Sequence, residues 1–421
     1  MPDGLESVDD FLARVLADLR PAPAVDLPLL DALGLVCTED VAAPLSLPRF
    51  DNSAMDGYAV RRDDVLAASE AAPVELPVVG EIGAGRAGPS SIAAGRVAKI
   101  MTGAPMPLGA DAVVPYEWTD RGAERVRITQ VPTAGQHIRL AGGDVTEGEH
   151  LISAGTVLGP RHLGLLASVG RATVSVRPRP RVVVLSTGSE LRDPGEPLGD
   201  DSIYDGNSYL LAASARRAGA VDVRVGIVPD DAETFLELLH AQLDHADIVV
   251  TSGGVSQGDF DVVKAALRSL GTVWFGGVAM QPGKPQGFGV VGEQRVPIFT
   301  LPGNPVSSYI SFELFVRPAL RTLMGLAPVV EPTTGATLEG SVASLSGKRQ
   351  FLRGRYAVAD ATNGGANGGA TVTVKPIGGT GSHLVGDLAA SNALIVVPEE
   401  VTSLEPGAQV QVVLLDRGTH E

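Results

Sequence analysis

The sequence predicts a multidomain α/β protein in which one α/β domain with a parallel-rich sheet is flanked by segments built from short strands. Three observations predict it. The chain has 421 residues, more than one hydrophobic core organises, so a few domains of ~100–200 residues each are expected. Residues 177–325 alternate strand-like apolar runs with stretches of helical spacing, the pattern of βαβ units. The 51 glycines and 30 prolines are many for a helical protein, and on either side of that segment they punctuate short Val-rich runs.

Taken in order, residues 7–19 predict a helix. Val8, Phe11, Leu12, Val15, Leu16 and Leu19 recur at helical spacing, and Ser7 is placed as an N-cap. Residues 45–145 predict a β-rich module from VELPVVGEI, RVAKIM, DAVVPYE and RVRITQV. GAGRAG at 83–88 has the spacing of a dinucleotide fingerprint, but Pro89-Ser90-Ser91 follows it instead of a helix, so a turn is expected. Beyond RPRPRVVVLSTGSE, helices are expected near 207–218, 231–245, 260–269 and 305–324. Strands are expected at VDVRVGIV, DIVVTS, TVWF and VPIFTL. The tail returns to strands at RYAVAD, ATVTVKPI, NALIVVP and AQVQVVLL, with NGGANGGA at 363–370 as a loop between two of them.

Composition narrows the function. A net charge of −16 disfavours nucleic acid and anionic membranes as partners, and aromatic residues at 4% leave little for stacking on bases. A small anion remains compatible, because loop N–H groups bind phosphate locally. Cys37 is the only cysteine, so an internal disulfide and a Cys-based zinc site are both excluded. The N-terminus MPDGLESVDDFLARVL has neither a basic region nor an apolar core, and no apolar run approaches membrane-spanning length. A cytoplasmic chain without a signal peptide is expected.

The expected strand ends of the α/β segment carry the chemistry. They read Ser186-Thr187-Gly188-Ser189-Glu190, then Ile203-Tyr204-Asp205-Gly206-Asn207. Next come Thr251-Ser252-Gly253-Gly254-Val255-Ser256 with Gly258-Asp259-Phe260-Asp261, and Leu301-Pro302-Gly303-Asn304-Pro305. Ligands of such sheets bind at the loops leaving the carboxyl ends of strands. Glycine-rich turns there aim N–H groups at an anion, and carboxylates beside them suit Mg²⁺. Taken singly, Asp205 and Asn207 fit a helix cap equally well. Gly254-Val-Ser256-Gln-Gly258 imitates a nucleophile elbow, but the histidines after it, His383 and His420, both lie in the β-rich tail. In FDNSAMDGYAV at 50–60, Asp51 and Asp56 read as a turn leading into a strand.

FDNSAMDGYAV, KIMTGAPMPLGADAVVPYE, GQHIRLAGGDV, LSTGSEL, IYDGN, TSGGVSQGDFD and LPGNPVS occur in this order. Together they resemble the molybdopterin molybdenumtransferase family, the MoeA family, which includes the E domain of gephyrin. The resemblance covers nearly the whole chain. It implies an elongated N-terminal helical domain (1–44 with 145–176), an inserted β-rich domain (45–144), a MogA-like α/β domain (177–326) and a C-terminal β-barrel (327–421). It also implies a transferase that takes adenylylated molybdopterin and molybdate, releases AMP and leaves molybdenum on the dithiolene. Mg²⁺ is the expected metal, and a homodimer is expected, with the site formed between the α/β domain of one subunit and the β-rich domain of the other. A MogA-like adenylyltransferase is the expected upstream partner.

Carried over residue by residue, the resemblance implies catalytic roles for Asp56, Thr102, Asp144, Glu190, Asp205 and Asp261, with Asp205 and Asp261 at the metal, and it leaves Asp51 to structure the turn. Substrate contacts fall to Ser186, Thr187, Gly188, Asn207, Ser252, Gly253, Gly254, Ser256, Pro302, Asn304 and Pro305. Arg139, Lys284 and Arg353 are the cations for the anions, with Ser382 and Lys348 also toward molybdate. Gln281 stands where the family often has lysine, and Gly206 replaces a bulkier residue. Two other readings keep the pterin site: adenylyl transfer to molybdopterin, and a carrier or scaffold without turnover.

Overall fold

Six strands form the sheet expected between 177 and 326. They are β1 (Arg181–Thr187), β2 (Val221–Val228), β3 (Ile248–Ser252), β4 (Val273–Gly277), β5 (Pro285–Val291) and β6 (Val296–Leu301). This computed structural model describes residues 4–85, 88–229, 231–255, 262–359 and 371–415. The strand order is β2-β1-β3-β6-β5-β4. The first four pair in parallel, whereas β5 pairs antiparallel with both β6 and β4. The sheet is therefore mixed, and the reason is chain length. Four residues separate β5 from β6, enough for a hairpin but far short of the dozen or so that a parallel crossover needs.

Both faces of this sheet are covered. Along β1, Val182 and Val184 enter one apolar cluster, while Val183 and Leu185 enter another on the opposite face. A strand with two buried faces reads as a continuous apolar run rather than an alternation. Helix Asn207–Arg217 contributes Leu211 and Ala215 to the first cluster, and helix Ala232–Leu243 contributes Phe235 and Leu239 to the second. The expected helix at 305–324 is continuous but changes pitch. Pro305–Ser311 and Arg317–Leu323 are α-helical, and Phe312–Val316 between them is a π turn.

The chain divides into two compact units, Met1–Val25 with Arg177–Glu421, and Asp26–Val176. The first helix, Val8–Leu16, thus belongs with the α/β sheet. Ser7 Oγ caps it by accepting the Asp10 amide at 3.0 Å, and Phe11 packs edge-on against Phe315 with ring centroids 4.7 Å apart. In the same unit, Arg349–Ala359, Thr371–Pro376, Thr334–Leu338, Gln409–Leu414 and Ala393–Val397 pair in that order, and the last closes on the first. This is a five-stranded barrel, which removes the exposed sheet edges.

The other unit holds a five-stranded sheet in the order Ala112–Pro115, Gly57–Val60, Val97–Ile100, Val74–Ile82, Arg125–Ile128. A second small core gathers Leu35, Cys37, Val41, Ile152, Leu158 and Val176. NGGANGGA and the middle of GAGRAG lie outside the described residues. No helix among the described residues is long and apolar enough to cross a membrane.

Candidate functional site

The sheet order reverses between β1 and β3. One connection leaves β1 toward β2, and β3 lies on its other side. That switch point opens a crevice at the carboxyl ends of the strands. A cleft of about 1050 Å³ sits there, and Ser186, Thr187, Gly188, Glu190, Asp205, Asn207, Ser252, Gly253, Gly254, Pro302, Asn304 and Pro305 all line it. The structure thus brings the strand-end residues together. Ser256 and Asp261 lie outside the described residues.

Glycine is required at the third strand end. Gly253 and Gly254 have φ of +94° and +80°. A Cβ on Gly253 would stand 2.9 Å from the Thr187 carbonyl oxygen, and one on Gly254 would collide with Val263. Both the left-handed backbone and the close approach exclude a larger residue.

Asp205 is 1% exposed and fully engaged. Its Oδ1 accepts the Ser186 hydroxyl and the Ser208 amide, each at 3.0 Å, and its Oδ2 accepts the Ser208 hydroxyl at 2.5 Å. Arg224 Nη1 stands 3.9 Å from Oδ2 and donates to Ser208 Oγ at 3.2 Å. The same guanidinium donates to Asp193 at 2.8 Å and to the Tyr209 hydroxyl at 3.0 Å, and its carbon lies 4.2 Å from the Tyr209 ring centre. Asp205 therefore caps the helix that follows and fixes the first strand end at once. Asn207 does not cap. Its Nδ2 donates to Ser252 Oγ at 2.8 Å and to the Gly303 carbonyl at 2.6 Å, tying three loops together. Glu190 is exposed at the cleft, and its carboxylate folds back over Gly188.

Arg353, Ser382, Lys348 and Lys284, predicted from the tail and the 281–284 turn, do not line the cleft, and Lys348 is half-buried. Arg353 is buried, at 4% exposure, and its guanidinium donates to the Gly379 carbonyl and, at 3.1 Å, to that of Gly381. It holds the loop that carries Ser382, whose own carbonyl accepts the Val306 amide at 3.1 Å. Burial pulls the Arg353 pKa down, and Asp387 opposes that. Lys284 is half-buried with its stem along Gly277. Gln281, the departure from the family lysine, accepts from the buried Gln350 amide at 3.3 Å.

In the other unit, the segments around 50–56, 101–106 and 137–145 are knitted together. Asp56 Oδ1 accepts both the amide and the hydroxyl of Thr102 at 2.7 Å. These two bonds hold its carboxyl below the usual carboxylate range, although both residues are exposed. Asp51 Oδ1 accepts the Ala141 amide at 2.7 Å, and the Leu47 carbonyl accepts the Asp144 amide at 3.0 Å. Arg139 pairs through its backbone with Asn52, and the Asp144 and Arg139 side chains are exposed. Gly57 has an ordinary backbone; its reason is proximity, since a Cβ there would collide with the Val114 carbonyl oxygen.

Sequence reasoning reaches Ser382 but not its neighbour His383, which lines the cleft with Val385. The tail's strand pattern hid it, because only packing shows that this barrel loop rests on helix Pro305–Ser311. Arg224 and Tyr209 were also missed. Nothing in a strand's alternate arginine signals that it braces a carboxylate on a helix cap.

Residues 6–170 match the family described as the MoeA N-terminal region (domain I and II), residues 183–322 the probable molybdopterin binding domain, and residues 335–415 the MoeA C-terminal region (domain IV). The chain is 46% identical over 414 residues to molybdopterin molybdenumtransferase 2 of Mycobacterium tuberculosis, covering 97% of this chain and 99% of that one. It is 34% identical over 409 residues to the molybdopterin molybdenumtransferase of Haemophilus influenzae, covering 96% and 98%. Two solved structures of MoeA proteins from Pyrococcus horikoshii superpose with TM-scores of 0.78 and 0.71, at 32% and 30% identity, over 98% and 97% of this chain and 99% and 100% of theirs. Matched along nearly its whole length, this chain belongs to the MoeA family.

Proposed function

We propose that this chain inserts molybdenum from molybdate into adenylylated molybdopterin, releasing AMP, and so completes molybdenum cofactor synthesis. The observation that carries the proposal is the cleft at the switch point. Its ≈1050 Å³ is at the upper end for a small-molecule site and suits a ligand as large as a pterin nucleotide. Its glycine-shaped loops offer backbone N–H groups to a pyrophosphate. Full-length relatedness to proteins named for this reaction supports the same reading.

Within that reading, Asp205 is a positioning residue. It holds Ser186 and the start of helix Asn207–Arg217, so the first two loops keep one geometry. Asn207 ties the third and fourth loops to them. Asp56, held below the usual carboxylate range by Thr102, accepts a proton from a dithiolene thiol as its Mo–S bond forms, and that proton passes on to the molybdate oxygen that leaves as water. Among the described residues no cluster of three or more His, Cys, Asp or Glu could hold a metal by itself. That fits Mg²⁺, which uses one or two carboxylates and the oxygens of a substrate phosphate. Asp205 has its oxygens committed, so Glu190 is the described carboxylate assigned to such an ion, with Asp261 the other expectation. When bound, the ion neutralises pyrophosphate charge.

The test is AMP release from molybdopterin-AMP by the purified protein with Mg²⁺, with and without molybdate. Molybdate-dependent release is the expected result. Binding without release points to a carrier, and formation of molybdopterin-AMP from ATP points to adenylyl transfer. The homodimer belongs to the same proposal. Mixing inactive Asp56→Asn and Asp205→Asn subunits restores activity if one site draws on both chains, and restores none if each chain works alone.

A further inference from the structure

The cleft has an unusual charge make-up for a site that holds a pyrophosphate. Among the described residues that line it there is no lysine and no arginine, and two carboxylates, Glu190 and Asp205, face it or brace it. One described lining side chain becomes a cation by taking a proton, and that is His383. Its backbone is pinned on both sides. The buried Arg353 grips the Gly379 and Gly381 carbonyls, the Ser382 carbonyl accepts the Val306 amide at 3.1 Å, and the His383 carbonyl accepts the Val385 amide at 2.9 Å. The ring itself is exposed and makes no hydrogen bond or ion pair among the described residues. A fixed backbone under an uncommitted ring is the arrangement of a group that meets a ligand rather than the protein.

We propose that His383, delivered to the α/β cleft by the C-terminal barrel, is the protonatable cation that pairs with the pyrophosphate of the substrate. The proposal rests on the cleft being the site for adenylylated molybdopterin. In the imidazolium form a ring N–H donates to a non-bridging phosphate oxygen, a charge-assisted bond stronger than any the backbone amides supply singly. The other charged or titratable groups that line the cleft are Glu190, Asp205, Tyr204 and Tyr209, and Asp387 follows on helix Val385–Ala390, paired in charge with the buried Arg353. Histidine is the one of these residue types whose ordinary pKa lies between pH 5 and 8. The anion favours the protonated ring, so binding should be tighter at pH 5.5 than at pH 8.0.

The probe is ADP-ribose, an adenosine pyrophosphate diester whose own charge stays constant over that range. Its affinity for the full-length protein is measured calorimetrically at pH 5.5 and pH 8.0. Wild type is expected to bind about tenfold more tightly at pH 5.5. His383→Gln is expected to bind at both pH values as weakly as wild type does at pH 8.0. His383→Arg, charged throughout, is expected to bind tightly at both. Wild-type binding that ignores pH, or a pH dependence that survives in His383→Gln, overturns the role of His383 and leaves the cleft as the pyrophosphate site. Absence of binding at either pH overturns the cleft reading and this proposal together.

Discussion

Asp205 and Asp56 are both carboxylates at the entry to a regular element, and the two units of the molecule treat them in opposite ways. Asp205 is sealed beneath the cleft, with three hydrogen bonds to its oxygens and an arginine close by. Asp56 is exposed, and a single residue, Thr102, supplies both of its bonds, to the same oxygen. A buried carboxylate with both oxygens hydrogen-bonded shapes what surrounds it. An exposed one with a free oxygen, kept ionised, is available to a substrate. In the proposed reaction the same residue type in the same kind of motif would thus divide into a positioning residue and a reacting residue, a division that follows what each oxygen touches.

The largest effect on stability is expected from Asp205→Asn. The amide replaces one acceptor with a donor that faces the Ser208 amide or hydroxyl, so the cap and the first strand end loosen together. Stability of the α/β unit should fall by about 1–3 kcal/mol, from a buried polar mismatch, and AMP release should fall with it. Urea unfolding followed alongside turnover checks this, and a stable variant with lost turnover would move Asp205 from positioning to chemistry. Asp56→Asn is expected to do the reverse. Its turnover should drop ~10²–10⁴-fold, the usual range for removing a proton acceptor, while stability stays within about 0.5 kcal/mol, as at an exposed site. Equal turnover in variant and wild type would remove Asp56 from the site. Asn207→Ala comes next. Losing the bonds to Ser252 and Gly303 should cost about 1 kcal/mol and raise KM more than it lowers kcat, since the loops still form but no longer hold one spacing.

The contrast also explains what was legible in the sequence. The βαβ alternation, the helix Val8–Leu16 with its Ser7 cap, and the strands VDVRVGIV and VPIFTL rest on local periodicity and capping, and they form where expected. The glycine-rich strand ends announced the cleft because their spacing along the chain matched the period of the fold. The antiparallel edge was illegible by periodicity alone; it follows from the short connection between β5 and β6. Arg353 reads in sequence as a cation for an anion; in the structure it is buried, with Nη1 and Nη2 on loop carbonyls and its Nε without a partner among the described residues. His383 reads in sequence as a residue of a distant tail; the Val306 amide, bonded to the Ser382 carbonyl, holds its loop at the cleft, and Arg353 shapes the loop behind it. Local chemistry shows in sequence; which side chain a fold buries, and which it offers, depends on partners tens of residues away along the chain.

The smallest expected effect is the sharpest probe of the comparison. Thr102→Val removes the hydroxyl bond to Asp56 but leaves the amide bond in place. Both bonds favour the charged carboxylate, so the native pKa lies below the unfolded one. A group of this kind stabilises the fold above its unfolded pKa, and that contribution is lost as pH falls through the folded pKa. The valine variant should therefore protonate Asp56 at higher pH, moving the loss up the scale. Near neutral pH the carboxylate stays ionised in both proteins, so turnover there should change by less than about tenfold, the worth of one hydrogen bond. A carbon-detected NMR titration of Asp56 reads the shift directly. If the titration does not move while turnover collapses, Thr102 acts on the substrate itself rather than through Asp56, and the β-rich unit supplies a reacting pair where a single reacting carboxylate is drawn here.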